Sequence, residues 1–134
     1  MVIDDNIDIA NIVKISLEID GFNVDVFNDP FLALKHFKRN LKKFAVIISD
    51  IRMPGMNGPE LVAKIKDLEP EVKVIFMTAF DMTDIKPEIE KYNYEVAGIF
   101  QKPLSMRSLR NIVKEILYNV NLNEKIWKKE YPIT

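Results

Sequence analysis

Asp50 stands at the end of an apolar run, Phe44 to Ile48, and Met53-Pro54-Gly55-Met56-Asn57-Gly58 forces a turn straight after it. A strand that carries one carboxylate to its tip, with a loop imposed behind it, holds that group exposed and rigid as a nucleophile or metal ligand. Asp4 and Asp5 close the first apolar run in the same manner. Thr78 follows the run Val72 to Met77, and Lys102, before Pro103, follows Ala97 to Gln101. Three carboxylates brought close together repel one another, so such a cluster either keeps a proton or binds a cation. Hard oxygen ligands without Cys or His favour Mg²⁺ over zinc. Asp5 and Asp50 suit direct coordination, and Asp4 contact through water. Lys102 can pair with Asp50 or with an incoming phosphoryl group, and Thr78 offers a hydroxyl to a phosphoryl oxygen. The chemistry implied is phosphoryl transfer onto the Asp50 carboxylate, with the metal and Lys102 neutralising the equatorial oxygens.

These groups lie at the ends of elements whose periods alternate. After the short start Met1 to Ile3, the residues Ile7, Ile9, Ala10, Val13, Leu17 and Ile19 recur at helical spacing until Gly21. Phe22 to Phe27 alternates like a strand, and Pro30 suits the first turn of a helix with Phe31, Leu34, Phe37 and Leu41 inside. Strand Phe44 to Ser49 is followed by a helix with Leu61, Val62, Ile65 and Leu68 inward, ending before Pro70. Val72 to Met77 is the fourth strand. In Asp81 to Tyr94, Pro87 fits only the first turn of a short helix, with Thr83 or Asp84 as cap. Ala97 to Gln101 is the fifth strand. Leu104 to Val120 is the last helix, with Ser105 as cap and Leu109, Ile112, Val113, Ile116 and Leu117 on its stripe. Strict alternation of five strands and five helices implies α/β architecture, a parallel sheet with helices on both faces. In such sheets ligands sit at the carboxyl ends of the strands, where all of the reactive groups fall.

Composition bounds the function more loosely. The chain has 134 residues, a net charge of −1 and no cysteine. Disulfide frameworks and thiolate metal sites are therefore excluded, and the charge gives no overall attraction to nucleic acid or anionic lipid. No apolar stretch approaches the ~18 residues of a membrane span. Met1 to Asp5 lacks the pattern of a secretion signal, so a cytoplasmic setting is expected.

The acidic pair Asp4-Asp5, Asp50 with Met53-Pro54 and Gly58 after it, Thr78-Ala79 and Lys102-Pro103 together resemble the response-regulator receiver domains of two-component signalling. Each motif is weak alone, and all four in this order are specific. The resemblance implies a flavodoxin-like five-stranded sheet of order 2-1-3-4-5, with residues 1–120 as the receiver and 121–134 as a C-terminal extension or the start of a linker. It implies Asp50 as phosphoacceptor, Thr78 as switch hydroxyl and Lys102 as phosphate partner. Asp4, Asp5, Asp50 and the Arg52 backbone carbonyl would form a Mg²⁺ site. A histidine kinase or phosphotransfer protein would be the donor, an unidentified protein or a homodimer the output, with no direct contact to nucleic acid or membrane. Such a domain is a regulatory phosphoacceptor rather than an enzyme, beyond self-phosphorylation and autodephosphorylation.

Three departures stand out. The first strand is very short. The place where the family carries a rotating Tyr or Phe, three residues before its lysine, holds Ile99, and the aromatic comes one later at Phe100. The fourth helix is short, so an atypical output is one alternative. A metal-dependent phosphatase working through an aspartyl-phosphate is a second, although it wants an acid where Arg52 stands. A flavodoxin-like flavin carrier would need a phosphate-cradling loop in place of Asp4-Asp5-Asn6, and a degenerate receiver would lack part of the acid–Thr–Lys set. His36, among Lys35, Lys38, Arg39, Lys42 and Lys43, is read as part of a solvated basic face. Met53 and Met56 are read as packing the active-site turn, and Ile126, Trp127 and Tyr131 as a packing or dimer group.

Overall fold

The computed structural model describes residues 1–118. Five strands, β1 (Val2–Ile3), β2 (Val26–Phe27), β3 (Val46–Asp50), β4 (Lys73–Thr78) and β5 (Gly98–Gln101), form one parallel sheet in the order β2-β1-β3-β4-β5. Between and after them run α1 (Ile7–Ile19), α2 (Pro30–Arg39), α3 (Gly58–Leu68), α4 (Met82–Glu90) and α5 (Met106–Tyr118). Ile126, Trp127 and Tyr131 lie outside the described residues.

Two apolar layers sandwich the sheet. On one face Ile3, Ile47 and Phe76 pack with Leu34 and Phe37 of α2, Leu61 and Ile65 of α3, and Ile85 of α4. On the other, Val2, Ile48, Ile75 and Met77 pack with Val13 and Leu17 of α1 and Leu109 and Ile112 of α5. Neighbouring strand residues alternate between the layers, as the two-residue side-chain period requires. Ile99 accordingly packs in the first layer and Phe100 against the second. β3 is buried on both faces along its whole length, which is why it reads as a continuous apolar run ending in Asp50.

The helices begin where the sequence supplies caps. Asn6 Oδ1 accepts from the backbone N–H groups of Asp8 and Ile9, and Asp29 Oδ1 from those of Phe31 and Leu32. Asn57 Oδ1 takes the Glu60 N–H at 2.8 Å, and Ser105 Oγ the Ser108 N–H at 3.2 Å. Asp29→Ala should lower stability by about 1 kcal/mol, read as a lower urea midpoint at unchanged slope. An unaltered midpoint would mean that water caps α2 equally well.

Several expectations shift. The second strand is confined to Val26–Phe27, because β1 offers it only two partner residues. In α1 the buried side chains are Ala10, Val13, Ser16 and Leu17, while Ile12, Ile15 and Ile19 project outward. Phe31, Leu41 and Leu68 are exposed rather than inward. Pro87 sits inside α4 rather than in its first turn, and the N-cap is Asp81, whose side chain makes no capping hydrogen bond. His36 is not on a freely solvated face. Its Nε2 lies 3.2 Å from Asp25 Oδ2, and its ring packs between Phe27 and Phe44.

Candidate functional site

The carboxyl edge of the sheet gathers the reactive groups. The β1 backbone pairs on both sides, with β2 and β3, so Asp4, one residue past its end, emerges beside the tip of β3 and is fully buried. Its Oδ1 accepts the Asn6 N–H at 2.9 Å, which turns the chain into α1. Its Oδ2 accepts no hydrogen bond but lies 2.7 Å from Lys102 Nζ as an ion pair. Asp50 ends β3 and is 7% exposed. Its Oδ1 accepts the Ile51 N–H at 2.9 Å, and its Oδ2 lies 3.3 Å from the same Lys102 Nζ. One lysine thus bridges two buried acids delivered by different strands. The Lys102 side chain is itself only 13% exposed, and its backbone N–H donates to the Thr78 carbonyl, tying the loop after β5 to the end of β4.

Asp5 is exposed, and it completes a set in which Asp4, Asp5 and Asp50 each offer one carboxylate oxygen, all within 4.8 Å of one another. Burial pushes the Asp50 carboxyl up to about 7, with Asp4 and Asp5 adding to the effect and Lys102 opposing it. Burial by itself would depress the Lys102 ammonium, but Asp4 and Asp50 outweigh it and hold the group above the ordinary lysine value. The site is therefore short of positive charge with Lys102 alone. A Mg²⁺ ion holds oxygens at ~2.0–2.1 Å, so opposite ligands lie about 4.2 Å apart. Three carboxylate oxygens gathered within 4.8 Å of one another would let two acids contact such an ion directly and leave the third to act through a bound water. The donor set, three carboxylates with no nitrogen or sulfur ligand among them, fits a hard divalent cation.

Thr78 is 1% exposed at the end of β4. Its Oγ1 accepts the Phe80 N–H at 3.0 Å. The turn after Asp50 is pinned at both ends: Ile51 N–H donates to the Met77 carbonyl, and Gly58 N–H to the Ile51 carbonyl. Met53 and Met56 are buried beneath that turn, as the sequence suggests. The fold thus brings together Asp4, Asp5, Asp50 and Lys102 and sets Thr78 on the neighbouring strand tip.

The Arg52 side chain serves elsewhere. Its guanidinium donates to Glu88 Oε1 at 2.7 Å and stacks on the Phe80 ring at 4.4 Å. Neither Phe80 nor Glu88 is signalled by the sequence, since pairs across loops leave no local pattern. Asn6 could have been found, because a polar residue directly before an apolar-periodic run is a cap signal.

Comparison with known proteins agrees with this geometry. A family model described as the response regulator receiver domain matches residues 1–114. The probable transcriptional regulator ycf29 of Porphyra purpurea is 33% identical over 132 residues, covering 97% of this chain and 61% of the relative. The chain therefore spans less than two thirds of that relative. The response regulator receiver protein CpdR of Brucella abortus is 28% identical over 114 residues, with 85% of this chain and 91% of the relative covered. Among solved structures, a response regulator receiver domain protein from Clostridium thermocellum superposes with a TM-score of 0.76 at 26% identity, covering 87% of this chain and 90% of the other. TrrA from Thermotoga maritima, solved in complex with Mg²⁺ and BeF, gives 0.74 at 26% identity, covering 87% and 96%. No helix among the described residues is long and apolar enough to cross a membrane.

Proposed function

Because the chain belongs to the response regulator receiver domain family, we propose that it is a phosphorylation switch whose acceptor is Asp50. The donor is a phosphohistidine on a kinase or phosphotransfer protein, and the setting is the cytoplasm. The observation that carries this reading is the Lys102 ammonium held between the Asp4 and Asp50 carboxylates, beside Asp5, on one sheet edge.

Asp5, Asp50 and the Arg52 backbone carbonyl would hold Mg²⁺, with Asp4 acting mainly through water, and the ion would supply positive charge to the phosphoryl oxygens. An Asp50 carboxylate oxygen attacks phosphorus in line, the P–N bond of the donor breaks, and its electron pair returns to the imidazole. Lys102 exchanges its ion pair with Asp50 for one with a phosphoryl oxygen. Thr78 Oγ1, which now accepts the Phe80 N–H, turns its own O–H toward the phosphoryl group. The loop after β4 follows, and the surface of α4, β5 and α5 is presented differently to an output partner or a second copy.

The phosphatase alternative lacks its second acid, since position 52 carries an arginine paired with Glu88. The chain with Mg²⁺ and a small acyl-phosphate donor should acquire a hydroxylamine-labile phosphate, and Asp50→Asn should acquire none. Equal labelling of the two proteins would end the proposal.

A further inference from the structure

Position 99 places an isoleucine in the apolar layer shared with α2, α3 and α4, and the neighbouring aromatic, Phe100, packs on the opposite face. No aromatic at position 99 is available to follow Thr78, yet a different chain of contacts joins Thr78 to α4. Thr78 Oγ1 accepts the Phe80 N–H at 3.0 Å. The Phe80 ring lies under the Arg52 guanidinium at 4.4 Å, and Arg52 Nη2 reaches Glu88 Oε1 of α4 at 2.7 Å. Arg52 stands two residues beyond Asp50, in the turn pinned to Met77 and Gly58. The route thus starts at the acceptor loop, passes the switch hydroxyl's own partner and ends on a helix.

The helix it reaches is poorly anchored. Its N-cap side chain makes no hydrogen bond, Pro87 interrupts its interior, and only Ile85 and Ile89 are buried. A proline there removes one backbone hydrogen bond of the helix. An element held by so few contacts lies at the low end of local stability, where one ion pair shifts a population measurably.

We propose that the Arg52–Glu88 ion pair, backed by the Phe80 ring, is a latch that holds α4 in its resting position and makes Glu88 a positioning residue for Thr78. The inference rests on the phosphorylation reading above. When the Thr78 hydroxyl turns to a phosphoryl oxygen, the Phe80 N–H loses its acceptor. The ring then leaves the guanidinium, Arg52 loses its support, and Glu88 is released. The signal leaves the site through a cation and a carboxylate rather than through a rotating aromatic ring.

The test is amide exchange of residues 82–90 in the full chain, in Mg²⁺ alone and with added beryllofluoride as the phosphoryl mimic. In the wild type, beryllofluoride should speed exchange in this segment. In Glu88→Gln, exchange in Mg²⁺ alone should already rise about two- to fivefold, the range expected for one exposed ion pair. By linkage, the beryllofluoride concentration giving half the change should fall by the same factor. Simple loosening of α4 would raise exchange but leave that concentration where it was, and would overturn the latch. Arg52→Gln breaks the same pair from its other end and also removes the Phe80 contact, so it must speed exchange at least as much; a response in only one variant also overturns the latch. If the wild type responds and Glu88→Gln behaves identically, the latch alone is refuted. If residues 82–90 of the wild type do not respond to beryllofluoride while Asp50 is still labelled by the acyl-phosphate donor, the latch is refuted and the phosphorylation reading stands; if labelling fails as well, both fall.

Discussion

Asp50→Asn is expected to stabilise the metal-free chain at pH 8 by about 2–4 kcal/mol, an unusual gain for removing a site residue. The Asp50 carboxyl titrates at about 7 in the fold because it is buried beside Asp4 and Asp5, against ~3.9 in an unfolded chain. Below pH ~4 both states hold the proton and the group imposes no penalty. Between ~4 and 7 the unfolded chain ionises first, so the Asp50 contribution to stability falls as pH rises, and it levels off above 7. An asparagine keeps an oxygen for the Ile51 N–H while carrying no charge, so the variant lacks this loss and shows only the opposite trend of the Met1 amino group, which burial lowers to about 5 and which favours the fold as pH rises from 5 to 8. Mg²⁺ should restore the wild type at pH 8 and leave the variant almost unchanged. Urea midpoints at pH 5 and 8, with and without Mg²⁺, measure all four quantities. A wild type that loses no stability relative to Asp50→Asn between pH 5 and pH 8 without metal would contradict the charge balance of the site.

Gly58→Ala is the second large effect, of opposite sign. Gly58 opens α3, and a Cβ built there would overlap the Asp50 carbonyl oxygen and crowd Ser49 Oγ at 3.1 Å. Both obstacles belong to the strand tip, and Ser49 Oγ donates to that same carbonyl at 2.8 Å. No flexible side chain can yield, so either α3 or the Asp50 backbone must move. The cost should reach the upper part of the ~1–3 kcal/mol range for overpacking, or exceed it. The displaced carboxylate should also accept phosphate more slowly. A urea midpoint matching wild type together with wild-type labelling would show that the two segments separate more easily than their contact implies.

Much of this architecture was legible. The apolar runs that end in Asp4, Asp50, Thr78 and Gln101 located four strand ends, because a strand buried on both faces needs nearly every residue apolar. The carboxyl-edge rule then gathered their polar neighbours. Helix faces were read less well. In α1, isoleucines at positions 12, 15 and 19 are as apolar as the truly buried Val13 and Leu17, so periodicity alone could not choose the inward side. Ile19 fits the inward spacing yet is 69% exposed. Proline disfavours helix interiors, so the sequence points to a first-turn position for Pro87. The nine-residue helix tolerates it, with Lys91 N–H closing its end on the Pro87 carbonyl. His36 gives no local sign of its pairing, because its partner, Asp25, lies on a neighbouring segment eleven residues away. The Arg52–Glu88 pair spans thirty-six residues and left no trace in the sequence.

The strands all run the same way, so the proposed reactive groups are supplied by strand tips and the loops after them along one border, and none by the outer flanks of the five helices. Those flanks can accumulate substitutions, and a lineage could recruit a new listener there, while the message-writing apparatus stays as it is. Only the few residues that cross from border to flank would have to change in step with the listener.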